Sequence, residues 1–465
     1  MAQTFEEKLQ RLKNTEDRRL GISEEELLAA GDFCEEYKKF LNQAKTERET
    51  IKESVALAKA AGFVEYVPGI SLKPGDRVYD INRGKSMILA VIGKRPAEDG
   101  LNIIAAHTDA PHLDLKPRPL YEKNHLAYLD THYYGGIKKY QWATIPLALH
   151  GTVITRDGRT VTLAIGEKEE DPVFCITDLQ PHLSELQNQK NAATVIEGED
   201  LDVLSASLGL ENRTETNAVK LMVLEVLEKE YGIGIEDLVS AELLVVPAHK
   251  ARDMGFDRSM ICAYAHDDRV CVYTALQALF KVKEPEKTAI VYLTDKEEVG
   301  SDSCTGATSL YLHDVVESLF ATQKTGEIFK NSYALSADVI VGEDPLYAQN
   351  TMDPRDTGVL NGGVVLTKYR GTRGKAETQD ASAEFVAALR QLFDTEKVRW
   401  QTGENGRVDR GGGRTIARFL GRLNMDTVDL GVPLLSMHAP AEVAAKIDIY
   451  AAYKAYLAFL EKFNI

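Results

Sequence analysis

Four short apolar runs in this chain each end in side chains that an apolar interior cannot accept uncompensated. LNIIAAHTD closes on His107 and Asp109, ICAYAHDDR on His266, Asp267 and Asp268, IVYLTDKEEVGS on Glu297 and Glu298, and YALSADV on Asp338. A fifth segment, DLGVPLLSMHAPAEV, sets His438 just ahead of Pro440, which we expect to open a helix. LNIIAAH, apolar almost throughout, is typical of a strand covered on both faces. The pattern predicts a mixed α/β sheet clothed by helices, and in such open sheets reactive groups gather at the carboxyl ends of strands.

The rest of the chain fits around that sheet. Ser23 with Glu26 and Thr46 with Glu49 are capping-box pairs, so the start is helical, with the second helix ending near Gly62. From Val78 the texture turns to strands: VYDIN, a turn at Arg83-Gly84, SMILAVIG and LNIIAAH. After position 245 helix and strand alternate: VCVYTALQALFKV, the strand TAIVYLTD, a helix near 308–322, the strand SYALSADVIV and a closing helix from about 440 to 463. Between them, 112–245 breaks the rhythm, with a hairpin in GTVITRDGRTVTLAIG turning at Asp157-Gly158. The charged GEKEEDP and the helix-like TNAVKLMVLEVLEKEYG do not restore it. We expect a smaller β-rich domain over 112–245, inserted into a discontinuous α/β domain made of 1–111 and 246–465. At 465 residues the chain is too long for one core, which stops growing beyond roughly 250 to 300 residues.

Composition removes several function classes. Apolar residues make up 44% and charged ones 27%, a soluble globular balance. A formal charge of -16 argues against nucleic acid or an anionic membrane as general partner. The five cysteines are scattered with no C-x-x-C pair, as expected of structural, reduced thiols in the cytoplasm. The charged N-terminal MAQTFEEKLQRLKNTEDRR has no apolar signal-like core, and no apolar run reaches the roughly 18 residues of a membrane span.

What remains is the set of groups at the strand ends. Imidazole nitrogen and carboxylate oxygen without thiolate suit zinc, manganese or cobalt, and two such ions about 3.5–4 Å apart can hold a hydroxide and a carbonyl together. One carboxylate must then be shared. Adjacent Glu297 and Glu298 leave the chain in different directions, so one can bind metal while the other serves as general base. Asp109, two residues after His107, can fix and polarise that imidazole. Each piece also has an ordinary structural reading, as a lone histidine, a helix N-cap or one acidic pair among many, and periodicity alone leaves both readings open. Other motifs are missing: there is no H-E-x-x-H and no G-x-S-x-G, and RGTRGKAE lacks the spacing of a phosphate loop. GGGRTIARFLG could hold a phosphate at a helix start but reads rather as a tight turn near the site.

Taken in order over nearly the whole chain, AAHTDAPHLDLKP, AHDDRVCVYTALQAL, DKEEVGS, SADV and LLSMHAPAEV closely resemble the aspartyl aminopeptidase family of metallopeptidases. The resemblance implies a two-zinc aminopeptidase, with cobalt or manganese as possible substitutes, whose α/β catalytic domain is interrupted by a β-rich dimerisation domain. It implies that His107 and Asp338 hold one metal, Glu298 and His438 the other, and that Asp267, rather than Asp268, bridges them. A hydroxide shared by the metals would attack the peptide carbonyl, with Glu297 as base and Asp109 as partner of His107. His182, in LQPHLSEL, resembles a histidine that reaches a neighbouring subunit's active site and contacts substrate. Peptides with a free N-terminus are the implied substrates, and a dodecamer built from dimers is the implied assembly. The implied taste for acidic N-terminal residues needs a fixed cation, for which Lys368, Arg370, Arg373 and Lys375 are candidates. Two alternatives stand beside this. One is the related glutamyl and leucyl group of cage-forming aminopeptidases, against which HTDAP, the serine of EEVGS and the larger insertion speak. The other is a metal-bound scaffold or cargo protein, which would have no need of Glu297.

Overall fold

The computed structural model describes residues 4–6, 21–348, 352–353 and 355–465. Its largest element is a nine-stranded mixed sheet, whose central strands Ala289–Thr294, Asn102–His107, Tyr333–Ser336 and Asp426–Gly431 run parallel to one another. Arg77–Asn82 and Ser86–Val91 add an antiparallel hairpin on one side, and Val364–Thr367 and Trp400–Thr402 extend the other. Ser86–Val91, Asn102–His107 and Ala289–Thr294 are buried at every position. Side chains in a strand alternate between faces, so each of these strands feeds two cores. Leu89, Ile104, Ala106, Val291 and Leu293 pack with the helices Glu24–Gln43, Glu47–Ala60, His266–Lys281 and Lys446–Lys462, while Ile88, Ile103, Ala105, Ile290 and Tyr292 pack with Tyr311–Phe320 and Thr325–Lys330.

A second, six-stranded antiparallel sheet draws all its strands from residues 112–247, in the order Thr160–Ile165, Leu147–Ile154, Ala241–Pro247, His112–Lys123, Leu126–Tyr134, Val203–Ala206. It has its own core around Leu113, Trp142, Leu149, Val203 and Leu244. The Asp157-Gly158 hairpin is present, with Gly158 at φ +84° where the turn needs it. The two sheets are tied by buried charges. His150 lies between Glu49 and Glu167, and Lys45 reaches Glu167 at 2.9 Å and the carbonyl of Pro247 at 2.6 Å.

Local signals at the N-terminal helices hold. Ser23 accepts from the Glu26 amide, and Thr46 and Glu49 form both halves of a capping box. Three expectations need correction. His438 is not followed directly by a helix: Glu442–Ala445 is first a strand, paired with Met260–Ala263, and the helix begins at Lys446. SYALSADVIV is not one strand, because the chain leaves the main sheet after Ser336 and Ile340–Val341 joins a separate five-stranded sheet. In GGGRTIARFLG the glycines pair with Gly371–Thr372 as a short ladder, and a helix starts only at Ala417. Among the described residues no helix is long and apolar enough to cross a membrane.

Candidate metal centre

The parallel strands set the stage for the site. His107 is the last residue of its strand and lies in register with Thr294, the last residue of the next; Glu297 and Glu298 follow three residues on, in the turn Glu297–Val299. On the other side Tyr333–Ser336 ends two residues before Asp338. Three neighbouring strands thus deliver an imidazole and three carboxylates at one sheet edge. Asp267 and Asp268 come from the start of His266–Lys281, where their backbone is not yet helical. His438 comes from the loop after Pro433–Leu435, at φ +64°.

Two groups of potential ligand atoms form there, each spanning no more than 4.8 Å: His107, Asp267, Asp268 and Asp338 in one, and Asp267, Glu298 and His438 in the other. Asp267 is common to both. Its two oxygens face opposite ways, Oδ1 standing 3.1 Å from His107 Nε2 and Oδ2 standing 3.3 Å from His438 Nε2, which is also 3.4 Å from Glu298 Oε2. Asp268 is fully buried and accepts the His107 amide at 3.2 Å.

Neighbouring backbone orients both imidazoles. His107 Nδ1 lies 3.0 Å from the Asp109 carbonyl, and His438 Nδ1 lies 2.9 Å from that of Gly136. A carbonyl only accepts, so each Nδ1 carries a proton and each Nε2 of the neutral ring turns a lone pair inward. The Asp109 carboxylate accepts the amides of Glu297 and Glu298, both at 3.1 Å, and the Tyr134 hydroxyl at 2.7 Å. Glu442, buried, accepts the amides of Asp267 at 3.0 Å and His438 at 2.7 Å.

Without a cation these groups conflict. Burial opposes charge on His107, but Asp109, Asp267 and Asp268 outweigh it and hold its pKa well above the ordinary value. Burial likewise opposes charge on His438, yet Glu298 and Asp267 push it up to about 11. Burial, reinforced by Asp338, Asp109 and Asp267 against a pull from His107, pushes the Glu297 carboxyl up to about 8. Asp338 rises to about 6, chiefly by burial. Several carboxylates in one dry pocket cannot all ionise, whereas divalent cations remove the repulsion and displace protons from the imidazoles. Among the described residues, the buried oxygens Asp267 Oδ1 and Glu298 Oε1 have no hydrogen-bond partner. The residues therefore fit metal: two inward imidazole nitrogens, unpaired carboxylate oxygens and no thiolate.

Of the residues singled out in the sequence, His107, Asp109, Asp267, Glu297, Glu298, Asp338 and His438 meet here. His182 lies apart, exposed on the turn Pro181–Leu183, and among the described residues no hydrogen bond or ion pair joins it to this cluster. Arg370, one of the cations offered for an acidic substrate, is spent internally: it is buried, donates to the carbonyls of Asp338 and Val339, and stands 3.9 Å from the Asp338 carboxylate. Lys375 pairs with Asp380 at 2.8 Å, while Lys368 and Arg373 are exposed. Tyr134, Gly136 and Glu442 were not visible as site residues in the sequence. Only the burial of a glutamate in APAEV could have marked Glu442, and burial is a property of the fold.

Comparison with known proteins agrees with this architecture. A family model described as aminopeptidase I zinc metalloprotease (M18) matches residues 40–460. A probable M18 family aminopeptidase 1 from Clostridium acetobutylicum is 45% identical over 462 residues, covering 97% of this chain and 98% of its own. The crystal structure of an M18 family aminopeptidase from Thermotoga maritima matches with a TM-score of 0.90 at 41% identity, covering 95% of this chain and 97% of that one. A more distant structure, a Saccharomyces cerevisiae aminopeptidase described as a dodecamer, shares the fold at 21% identity and a TM-score of 0.74, covering 94% and 97%.

Proposed function

The chain belongs to the M18 family of zinc metallo-aminopeptidases, and on that premise we propose that it removes single residues from the free N-terminus of peptides at a two-zinc centre. His107 and Asp338 would hold one ion and Glu298 and His438 the other, with Asp267 shared. The observation that carries this reading is the pair of ligand groups with one carboxylate in common and Glu297 beside them. Bound there, the ions supply Lewis acidity toward the peptide carbonyl and make a water molecule acidic enough to attack near neutral pH; cobalt or manganese would suit the same donors.

The protein's own groups do the rest. Glu297 is held by the hydrogen bond that its backbone amide donates to the Asp109 carboxylate, while its side chain is left out of both ligand groups, which suits a base that takes the proton of the attacking water and returns it to the departing amine. Asp109 and Glu442 act on geometry. The first fixes the Glu297–Glu298 turn and stands 3.4 Å from His107 Nδ1; the second fixes the backbone of Asp267 and His438. The positive substrate amine would meet carboxylates at the rim, which accounts for action at a free N-terminus.

For the removed residue we propose an acidic side chain, met by an exposed cation of 368–373. With Arg370 committed to Asp338 and Lys375 to Asp380, Lys368 and Arg373 are the candidates that remain. The domain reading is kept as 1–111 with 246–465 for catalysis and 112–245 for dimer formation, and the assembly is proposed as a dodecamer built from dimers. Exposed His182 would then serve a neighbouring site.

The test is release of free amino acid from a panel of aminoacyl substrates by the zinc-loaded chain. Release from acidic substrates above all others supports the full reading, and release from another class keeps the peptidase but overturns the acidic pocket. No release with zinc, cobalt or manganese rejects the enzyme in favour of a scaffold.

A further inference from the structure

The six-stranded sheet reaches the metal centre at two points, both in one short segment. Its strand Leu126–Tyr134 ends at the site. There the buried Tyr134 donates from its hydroxyl to Asp109 Oδ2 at 2.7 Å, and two residues later the Gly136 carbonyl stands 2.9 Å from His438 Nδ1. Between them Gly135, at φ +78°, runs so close to the ligands that a Cβ there would lie 3.4 Å from that of Glu298. Asp109 is the residue that holds the amides of Glu297 and Glu298 and flanks His107, so Tyr134 reaches both halves of the centre through Asp109, while Gly136 reaches the second through His438.

We propose that the Tyr134–Gly136 segment is a positioning clamp through which the six-stranded sheet sets the metal affinity and the catalytic geometry of the site. The inference rests on the two-metal reading above. Its physical basis is direct. The Asp109 carboxylate sits in a dry pocket with two amides and one imidazole, and burial and the charge of Asp109 keep the Tyr134 phenol protonated and therefore a donor. Its ring is itself held in place, stacked on His112 with ring centres 4.3 Å apart and with Lys296 Nζ 4.9 Å from its own centre. Removing the hydroxyl leaves the ring packing and takes away one of the three hydrogen bonds that fix the carboxylate, the two amides remaining. Groups hydrogen-bonded directly to a ligand are worth about 10- to 100-fold in metal affinity; Tyr134 stands one bond further out, behind Asp109, so its share lies at the lower end, about 10-fold.

The experiment compares wild type, Tyr134→Phe and, as control on the exposed side of the same strand, Tyr133→Phe. Zinc affinity is measured by competition with a chelator, kcat and KM with the best substrate, and melting temperature with and without zinc. Tyr134→Phe is expected to bind at least one zinc about 10-fold more weakly, to lose kcat with KM little changed, and to show a smaller zinc-induced rise in melting temperature, while the zinc-free chain melts as wild type does. Tyr133→Phe should match wild type throughout. Wild-type zinc affinity in Tyr134→Phe overturns the clamp, and so does equal destabilisation of the zinc-free and zinc-loaded forms, or failure to fold, since Tyr134 would then be structural. A wild-type chain that binds two zinc ions but hydrolyses nothing would reject the peptidase reading while the affinity comparison still decides the clamp.

Discussion

Replacing His150 with glutamine should remove a pH dependence of stability that the wild-type protein shows between about pH 6.5 and 9. His150 is buried, with Nδ1 2.8 Å from Glu49 Oε1 and Nε2 3.1 Å from Glu167 Oε1. A ring with a carboxylate at each nitrogen is best satisfied as the doubly protonated cation. Burial opposes that charge, but the two glutamates prevail and push the pKa from 6.5 up to about 9. Because the folded value lies above the unfolded one, the stabilisation is complete below pH 6.5 and is lost as pH rises through 9. At about 1.4 kcal/mol per pH unit the gap is worth on the order of 3 kcal/mol. With an unfolding entropy near 2.1 cal/mol/K per residue, this long chain loses about 1 kcal/mol per degree, so the effect is roughly 3 °C. The assay is the melting temperature of zinc-free protein from pH 6 to 9.5, read as the difference between the two proteins, since the metal-centre carboxyls that titrate in this window, Glu297 at about 8 among them, are common to both. Wild type should decline by about that amount across the window relative to His150→Gln. Parallel curves for the two proteins would refute the assignment of the charge to His150.

Other outcomes follow from the same geometry. Glu297→Gln should lower kcat by about 10²- to 10⁴-fold with zinc content unchanged, measured by steady-state kinetics and metal analysis; loss of zinc would make Glu297 a ligand instead. Asp267→Asn should weaken both zinc ions together, and retention of one at wild-type affinity in a chelator titration would mean that the carboxylate is not shared. Arg370, 3.9 Å from Asp338 and 4.0 Å from buried Asp429, is their counter-charge, so in Arg370→Met the zinc-free chain should lose about 3–5 kcal/mol; a melting temperature equal to wild type would contradict that role.

What could be read from the sequence was what local chemistry decides. LNIIAAH announced a strand buried on both faces, and its terminal His107 lies where an open α/β sheet gathers reactive groups. Glu297 and Glu298 were visible for the same reason. The segment after His438 was misread because PAEVAAK is rich in good helix formers, whereas pairing with Met260–Ala263 holds Glu442–Ala445 extended. Strand SYALSADVIV was drawn too long because its residues suit a strand throughout, while Ala337 to Val339 turn Asp338 toward the ligands and send Ile340 to another sheet. Tyr134 and Gly136 matter through contacts with Asp109 and His438, distant in the chain, and Glu442, though only four residues from His438, is set apart by its burial and its bond to distant Asp267. Arg370 looked like any basic residue in a polar run, and only its burial beside Asp338 separates it from Lys368 and Arg373.

The central claim is that one carboxylate joins two metal ions in this pocket. Anomalous scattering at the zinc edge from crystals of the zinc-loaded protein tests it most directly. Two peaks about 3.5–4 Å apart are predicted, one against His107 and Asp338 and one against Glu298 and His438, with Asp267 touching both. A single peak, or two that do not share Asp267, would contradict the account.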